Sequence, residues 1–493
     1  MKISKKNILT TGLAVTLAAT ITIGGTFAYL QSQTEDVVNN FQANKVLVSL
    51  VETKEGYNII PGTEQDKDPT VTVDNTVDAY VFVEVNDQTR DMVGYEIADG
   101  WTELPEFATT TVKVYYRTVA KDADTKVFSV LKGDKVSYSA ALENKDMLIG
   151  DKLRTTLNLS FKAYAIQQQP FADAAEAYVA QPKTVSTATE LKRALSVGSP
   201  VVLSGDLTTT GSNLAGGLKQ NAENQIDLNG HKLTLNTNIA EVKENCNLTI
   251  KNGTVEAKAK NYAFDLNSNS SVTLDNVEWT ASSANYGLGG PKDYAQHTTF
   301  NVIDSTVTVK EGYMIISTNA SVKDGIFASD VTINIKNSTL SITQPKGDCV
   351  GILLNVPGRL NIENSTITAD RQAVIVRGGE AVIKDSVLNC TASYSNLAEY
   401  DEKDWGDGNN LPSAVLVVGD RNNSYNYDAT CTLDNSTLNY TKDCDRRVIY
   451  AAAYGGHNTY IYGGDKAGDL HSTVTGSSDD DSQVVLEAYP SGK

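Results

Sequence analysis

The chain has 493 residues, too many for one ordinary core, so two domains behind a processed segment are expected. Its composition is globular, 40% hydrophobic and 21% charged, with 36 Gly, 11 Pro and 4 Met and no apolar run of transmembrane length beyond the leader. Lys and Arg number 42 against 60 Asp and Glu, a net charge of −18 that argues against a phosphate backbone as partner, so no nucleic acid is expected.

In chain order, the first feature is a leader. Lys2, Lys5 and Lys6 precede an apolar stretch from Ile8 to Gly25, and Thr26-Phe27-Ala28 puts small residues at both cleavage-pocket positions. Cleavage between Ala28 and Tyr29 is expected; a retained anchor is the alternative, but threonines and glycines make this run a poor span. Beyond it, Val71 and Val73, then Val81, Val83 and Val85, alternate with other residues as half-buried strands do, punctuated by Pro61-Gly62 and Asn75. Several short antiparallel strands in succession predict a β-sandwich or jelly roll. Ala172 to Ala180 has helical propensity and Gln181-Pro182 closes it, which sets the boundaries: leader 1–28, sandwich 29–180, second domain 181–475 and polar tail 476–493.

From about Gln225 onward a hexapeptide recurs: apolar, any, Asn or Asp, small or any, any, apolar. Its copies begin at Ile250, Leu274, Val302, Ile335, Ile362, Ile383 and Leu433, and their third positions are Asn252, Asn276, Asp304, Asn337, Asn364, Asp385 and Asn435. The spacings of 24, 28, 33, 27, 21 and 50 are those of one coil with loops of varying length, the last with an insertion and room for a full extra coil. Ile333 and Ile335 point one way, the alternation slips by one, and Leu340 and Ile342 resume on the same interior, so Asn337 sits at a corner. Asn tolerates left-handed backbone and stacked copies can hydrogen-bond from coil to coil, a structural reason for the recurrence rather than a catalytic one. A further strand lies between hexapeptides, as in Gly351 to Asn355, Ala373 to Arg377 and Ala414 to Val418, and two or more strands per coil predict a β-solenoid. An amphipathic helix from Thr187 to Leu195, with a capping-type start, and the strand Pro200 to Leu203 would close its first coil. If Ile352/Leu354, Val374/Val376 and Val415/Val417 face inward, then Ile316, Leu353, Ile375, Leu416 and Tyr450 form an outward apolar stripe that needs a cover or a partner.

Two family resemblances follow from these residues. Thr26 to Leu30, Asn39-Asn40-Phe41, Ile59 to Gly62, Lys67 to Val73, Val77 to Val85, Trp101, Val114 to Arg117 and Leu157 to Gln167 resemble the TasA/camelysin family of exported proteins. That resemblance, over residues 1–180, implies processing by a SipW-type signal peptidase, a sandwich architecture, and export to the surface or matrix of a Gram-positive bacterium. Ile226 to Leu233, together with the hexapeptides, resembles the right-handed parallel β-helices of the pectate-lyase-like superfamily. The expected fold is therefore all-β: an N-terminal antiparallel β-sandwich or jelly roll followed by a right-handed parallel β-helix.

Chemistry-bearing residues are sparse. His231, His297, His457 and His471 and the cysteines Cys246, Cys349, Cys390, Cys431 and Cys444 all lie beyond residue 180, and no HExxH occurs, so the peptidase that the camelysin resemblance raises has no His or Cys for a conventional zinc site in residues 29–180. The odd cysteine count argues against a complete disulfide framework. Cys246, Cys390 and Cys431 share strand parity with Leu248, Leu388 and Leu433, which favours small buried hydrophobes over disulfides or metal ligands. Asp348, Asp370, Arg371, Arg377, Lys384, Asp385, Asp420 and Arg421 form no motif of a polysaccharide lyase or hydrolase, the enzymatic alternative. The insertion Tyr394 to Pro412 carries Asp401, Asp404 and Asp407, oxygen ligands for a Ca²⁺ whose spacing departs from an EF-hand, and it is the one cofactor expectation. Tyr400 and Trp405, with Tyr425 and Tyr427, suit stacking on sugar rings of an extracellular glycan or a host or matrix surface. Cleavage would free the segment from Tyr29 to Leu50, with Phe41, Val46, Val48 and Leu50, to complete a neighbour's sheet in self-assembly. These features describe a secreted cell-surface or biofilm-matrix protein, its sandwich for assembly or attachment and its β-helix for display or glycan binding.

Overall fold

Alternating valines build the first sheets. In the strand Thr70–Asn75, Val71 and Val73 are buried while the threonines between them stay partly open, and Ala79–Asp87 buries Val81, Val83 and Val85 in the same rhythm. The computed structural model describes residues 44–486 apart from 55, 155–156, 210–213, 237–239, 259–262, 283–285, 293, 319–321, 324–325, 371, 392–413, 420–426, 441–446, 453–457, 464–465, 468–470 and 476–483. A three-stranded antiparallel sheet orders Val46–Val51, Thr70–Asn75 and Val127–Ser129; a four-stranded one orders Leu159–Gln167, Ala79–Asp87, Val112–Val119 and Thr102–Glu103. Their facing valines, with Tyr115, close one apolar cluster. On the far side of the four-stranded sheet, Phe82, Val114 and Tyr164 receive Ala174, Ala177 and Tyr178 of the helix Ala174–Ala180.

One expectation fails in this region. The segment ending at Leu50 is not wholly free, because Val46, Val48 and Leu50 pair with Asn75, Val73 and Val71 of the same chain. Three half-buried apolar side chains already have a partner strand in cis, so only the part before Val46 remains to be donated; Phe41 lies outside the described residues.

From Lys183–Val185 to Val484–Leu486 the strands join into a single ladder of 26, almost all parallel. The entry is a helix, Ala188–Val197, started by a capping box between Thr187 and Glu190 and ended by Gly198 at φ 90°. It buries Leu191, Ala194 and Leu195 against the first coil. Later coils present three faces, and one strand can run across two of them, as Asn247–Ala257 does. Gly358–Glu363, Thr366–Ala369 and Gln372–Val376 stack on Gly379–Lys384, Val387–Cys390 and Ala414–Gly419 in the next. Three stacked faces thus enclose one continuous core, with Phe264, Trp279 and Phe300 as its aromatic centre.

The register decides two further points. Lys384 pairs directly with Asp434, so the 50-residue spacing carries no extra coil on that face, and the insertion lies within a single turn. On the third face, Ile316, Ile352, Val374, Leu416 and Ile449 stand in register and belong to the core. Ile316 and Leu416 are therefore inside rather than on the outward stripe. The outer row is Leu353, Ile375 and Val417, which with Met314, Val350 and Ala414 make a second, separate buried cluster. The error in parity has a plain cause: Gln372–Val376 and Ala414–Gly419 are buried on both sides, and a run without polar interruptions has no phase to read.

Candidate functional site

The recurring Asn and Asp positions lie where the backbone turns. Asn252, Asn276, Asp304, Asn337, Asn364, Asp385 and Asn435 all have φ between 44° and 60°, the left-handed region that Asn and Asp tolerate better than other residues with a β-carbon. Their side chains link coil to coil: Asn337 Nδ2 donates to Asp304 Oδ1 at 2.9 Å, Asn364 Nδ2 to Asn337 Oδ1 at 2.9 Å, and Asn435 Nδ2 to Asp385 Oδ1 at 2.6 Å. Asn276 donates to Asn252, which donates in turn to Asp227, so each run of amides starts on a carboxylate that can only accept.

The next residue carries a ladder that the hexapeptide reading passed over as merely small. The hydroxyls of Ser305, Ser338, Ser365, Ser386 and Ser436 are buried, and each accepts the backbone N–H of the residue one coil earlier, at 3.0 to 3.2 Å. Each also donates to the carbonyl two residues before it, as Ser338 does to Lys336 at 2.7 Å. A second line of corners was missed too: Asn221, Asn245, Asn269, His297 and Asp330 are left-handed, with φ between 51° and 56°. Their spacing repeats that of the hexapeptides, the signal that would have found them.

Among the described residues no group of three or more His, Cys, Asp or Glu gathers as metal ligands. Ala28, Tyr29, Tyr400, Trp405 and Tyr425 and the calcium candidates Asp401, Asp404 and Asp407 lie outside the described residues. Tyr427 is half-buried beside Gly378. Burial pushes the Cys246 thiol up to about 11 and that of Cys431 to about 12, which makes both poor nucleophiles. The thiols of Cys349 and Cys390 donate to the carbonyls of Gly312 and Asp370. On the outer surface, Tyr460 and Tyr462 stack with centroids 6.1 Å apart, an aromatic pair that their period-two spacing foreshadows.

A cleft of about 1020 Å³ lies in the antiparallel part. Leu50 and Glu52 line one side of it and Ser160 and Phe161 the other, and the strands at these two walls are end strands of their sheets. Lys67 is buried there, 2.6 Å from Glu52 Oε1, with its ammonium over the rings of Tyr57 and Phe161 at 4.6 and 5.4 Å. Tyr57 donates to the same carboxylate oxygen, and burial together with that carboxylate raises its hydroxyl pKa. The hydroxyl of Tyr138 and the side-chain oxygen of Asn86, both on the cleft wall, are buried without a hydrogen-bond partner among the described residues. Buried polar atoms left in this way cost stability unless something binds them.

The antiparallel part meets the ladder through a cluster of charges. Glu84 accepts from the Tyr178 hydroxyl and, at 2.6 Å, from Arg193 Nη1; Lys162 Nζ lies 2.7 Å from Glu190 Oε1. Lys183, 4% exposed, donates to the Tyr178 carbonyl at 3.0 Å.

No family model matches the chain, and no curated protein matches it. Among solved structures, one titled "L. reuters 100-23 SRRP" is 16% identical over 60% of this chain and 98% of its own, with a TM-score of 0.31. The catalytic unit of a thermostable GH87 α-1,3-glucanase from Streptomyces thermodiastaticus strain HF3-3 is 11% identical over 88% of this chain and 96% of its own, with a TM-score of 0.19. At these scores neither likeness bears on what the chain does.

Proposed function

We propose that the chain is a secreted cell-surface or matrix protein of a Gram-positive bacterium that assembles through its antiparallel part, a sandwich of the TasA/camelysin type, and displays a right-handed β-helix. The observation that carries this reading is the distribution of exposed large hydrophobics. Among the described residues they are Leu47, Val51, Ile60, Val127, Ile149 and Leu153 in the antiparallel part, against Tyr294 alone in the ladder. Leu47, Val51 and Val127 stand on end strands of one sheet, where unpaired backbone groups add hydrogen bonding to apolar contact. The end strands beside the cleft leave backbone groups open to an added strand, and residues 29–44, freed by a SipW-type peptidase after Ala28, would supply it.

Deleting residues 29–44 from the mature protein and following polymer formation by light scattering and electron microscopy tests the assembly role. Loss of polymers is the expected result, and fibres of unchanged length and yield would overturn it. For the display role, a glycan array with a product assay on acidic polysaccharides separates binding from turnover; release of unsaturated or reducing sugars would replace this reading with that of a carbohydrate-active enzyme.

A further inference from the structure

Three cations meet two carboxylates where the antiparallel part joins the ladder. Lys162 has Glu190 and Arg193 has Glu84, at 2.7 and 2.6 Å, but among the described residues Lys183 has no carboxylate within ion-pair distance. Its ammonium has the Tyr178 carbonyl and the faces of the Tyr178 and Tyr164 rings, at 3.6 and 4.3 Å. A buried charge so placed is costly without a counter-charge. Beside it lies a cavity of about 30 Å³, walled in part by Lys183, Arg193 and Ser199. Ser199 is 0% exposed, and neither its hydroxyl nor the Nε of Arg193 has a hydrogen-bond partner among the described residues.

We infer that this cavity binds one small monovalent anion of halide size, held by Lys183, Arg193 and Ser199 and completing the charge balance of the joint. Three arguments favour an anion over a water molecule. Lys183 and the two groups left without a partner on the wall all donate, and a halide accepts from three donors where a water accepts from two. The cluster carries one positive charge in excess, which water leaves in place. The cavity exceeds the roughly 10–15 Å³ that one water needs, which leaves room for a slightly larger ion. Burial, with repulsion from Arg193 and Lys162 and only partly offset by Glu84, pushes the Lys183 ammonium down to about 7, and a bound anion would keep it protonated above that pH. The joint would therefore be tighter in chloride than in a salt whose anion cannot enter. This inference does not depend on the assembly role.

Crystals of the mature protein soaked in sodium bromide test it directly. An anomalous peak within hydrogen-bond distance of Lys183 Nζ and Ser199 Oγ is expected; a water refined there with no anomalous signal overturns the proposal. In solution at constant ionic strength, the unfolding midpoint should rise by about 1–3 °C per tenfold increase in chloride over gluconate once the site is half filled. Lys183→Met and Ser199→Ala should each abolish that dependence, and an equal response of wild type to both salts counts against the site. If Lys183→Met does not fold, Ser199→Ala and the bromide map still decide.

Discussion

The antiparallel part and the ladder solve the same problem, satisfying backbone polar groups, in opposite ways. The antiparallel sheets pair strands within a short stretch of chain and leave end strands open along a cleft, with apolar side chains exposed on them. Among the described residues of the ladder most strands pair with a coil on each side, and at the hexapeptide corners from Asp304 to Asn435 a buried serine and an Asn or Asp replace the hydrogen bonds that the turn interrupts. Open edges suit association, whereas a closed, repeated column suits reach and display. From Val46 onward both belong to one compact unit.

The sharpest way to break the contrast is at the ladder's aromatic centre. Trp279→Ala, at a fully buried ring 5.3 Å from Phe264, should cost about 3–5 kcal/mol in chemical denaturation and leave the cleft surface intact. Next comes the joint, measured in chloride-free buffer. Burial holds Lys183 at about 7 against 10.5, so between those values the unfolded chain binds a proton that the folded chain lacks. Stability should rise with pH from about 7 to about 10.5, and Lys183→Met should remove that slope. Glu190 acts on the acid side. Burial would raise it, but hydrogen bonds from Lys162 and Ser186 outweigh burial and hold it at about 2, so its contribution is present above 4.5 and is lost as pH falls toward 2.

Ser338→Val should cost about 1–3 kcal/mol, because it strips the acceptor from the buried Ser305 N–H. Asn337→Ala should cost about 1–2 kcal/mol and Asn337→Gly less, since glycine keeps the φ of 50° without strain while both lose the amide link. The smallest effect on stability is expected at the edge. Leu47→Lys with Val51→Lys should shift unfolding by no more than about 0.5 kcal/mol each yet abolish polymers, which separates association from folding.

Particular residues show how far the sequence could be read. Asn337 and its counterparts were legible because a left-handed corner restricts residue type, and the restriction recurs at every coil. The serine after each corner from Asp304 to Asn435 carried the same periodicity but looked generic, since a small residue at a turn has many ordinary reasons to be there. The cleft was not legible: Leu50, Lys67, Tyr138 and Phe161 are scattered along the chain and meet only when two sheets face each other.

By itself, then, the sequence determined the coil length, one line of corners and the entry helix, because each depends on local backbone preference or on a repeat that stacks on its own copy. Tertiary structure alone decided which side of the third face turns inward, since all-apolar strands such as Gln372–Val376 carry no alternation. It alone brought Lys162, Lys183, Arg193 and Glu84 together, because a charged residue reads as solvated surface until its neighbours remove the water from it.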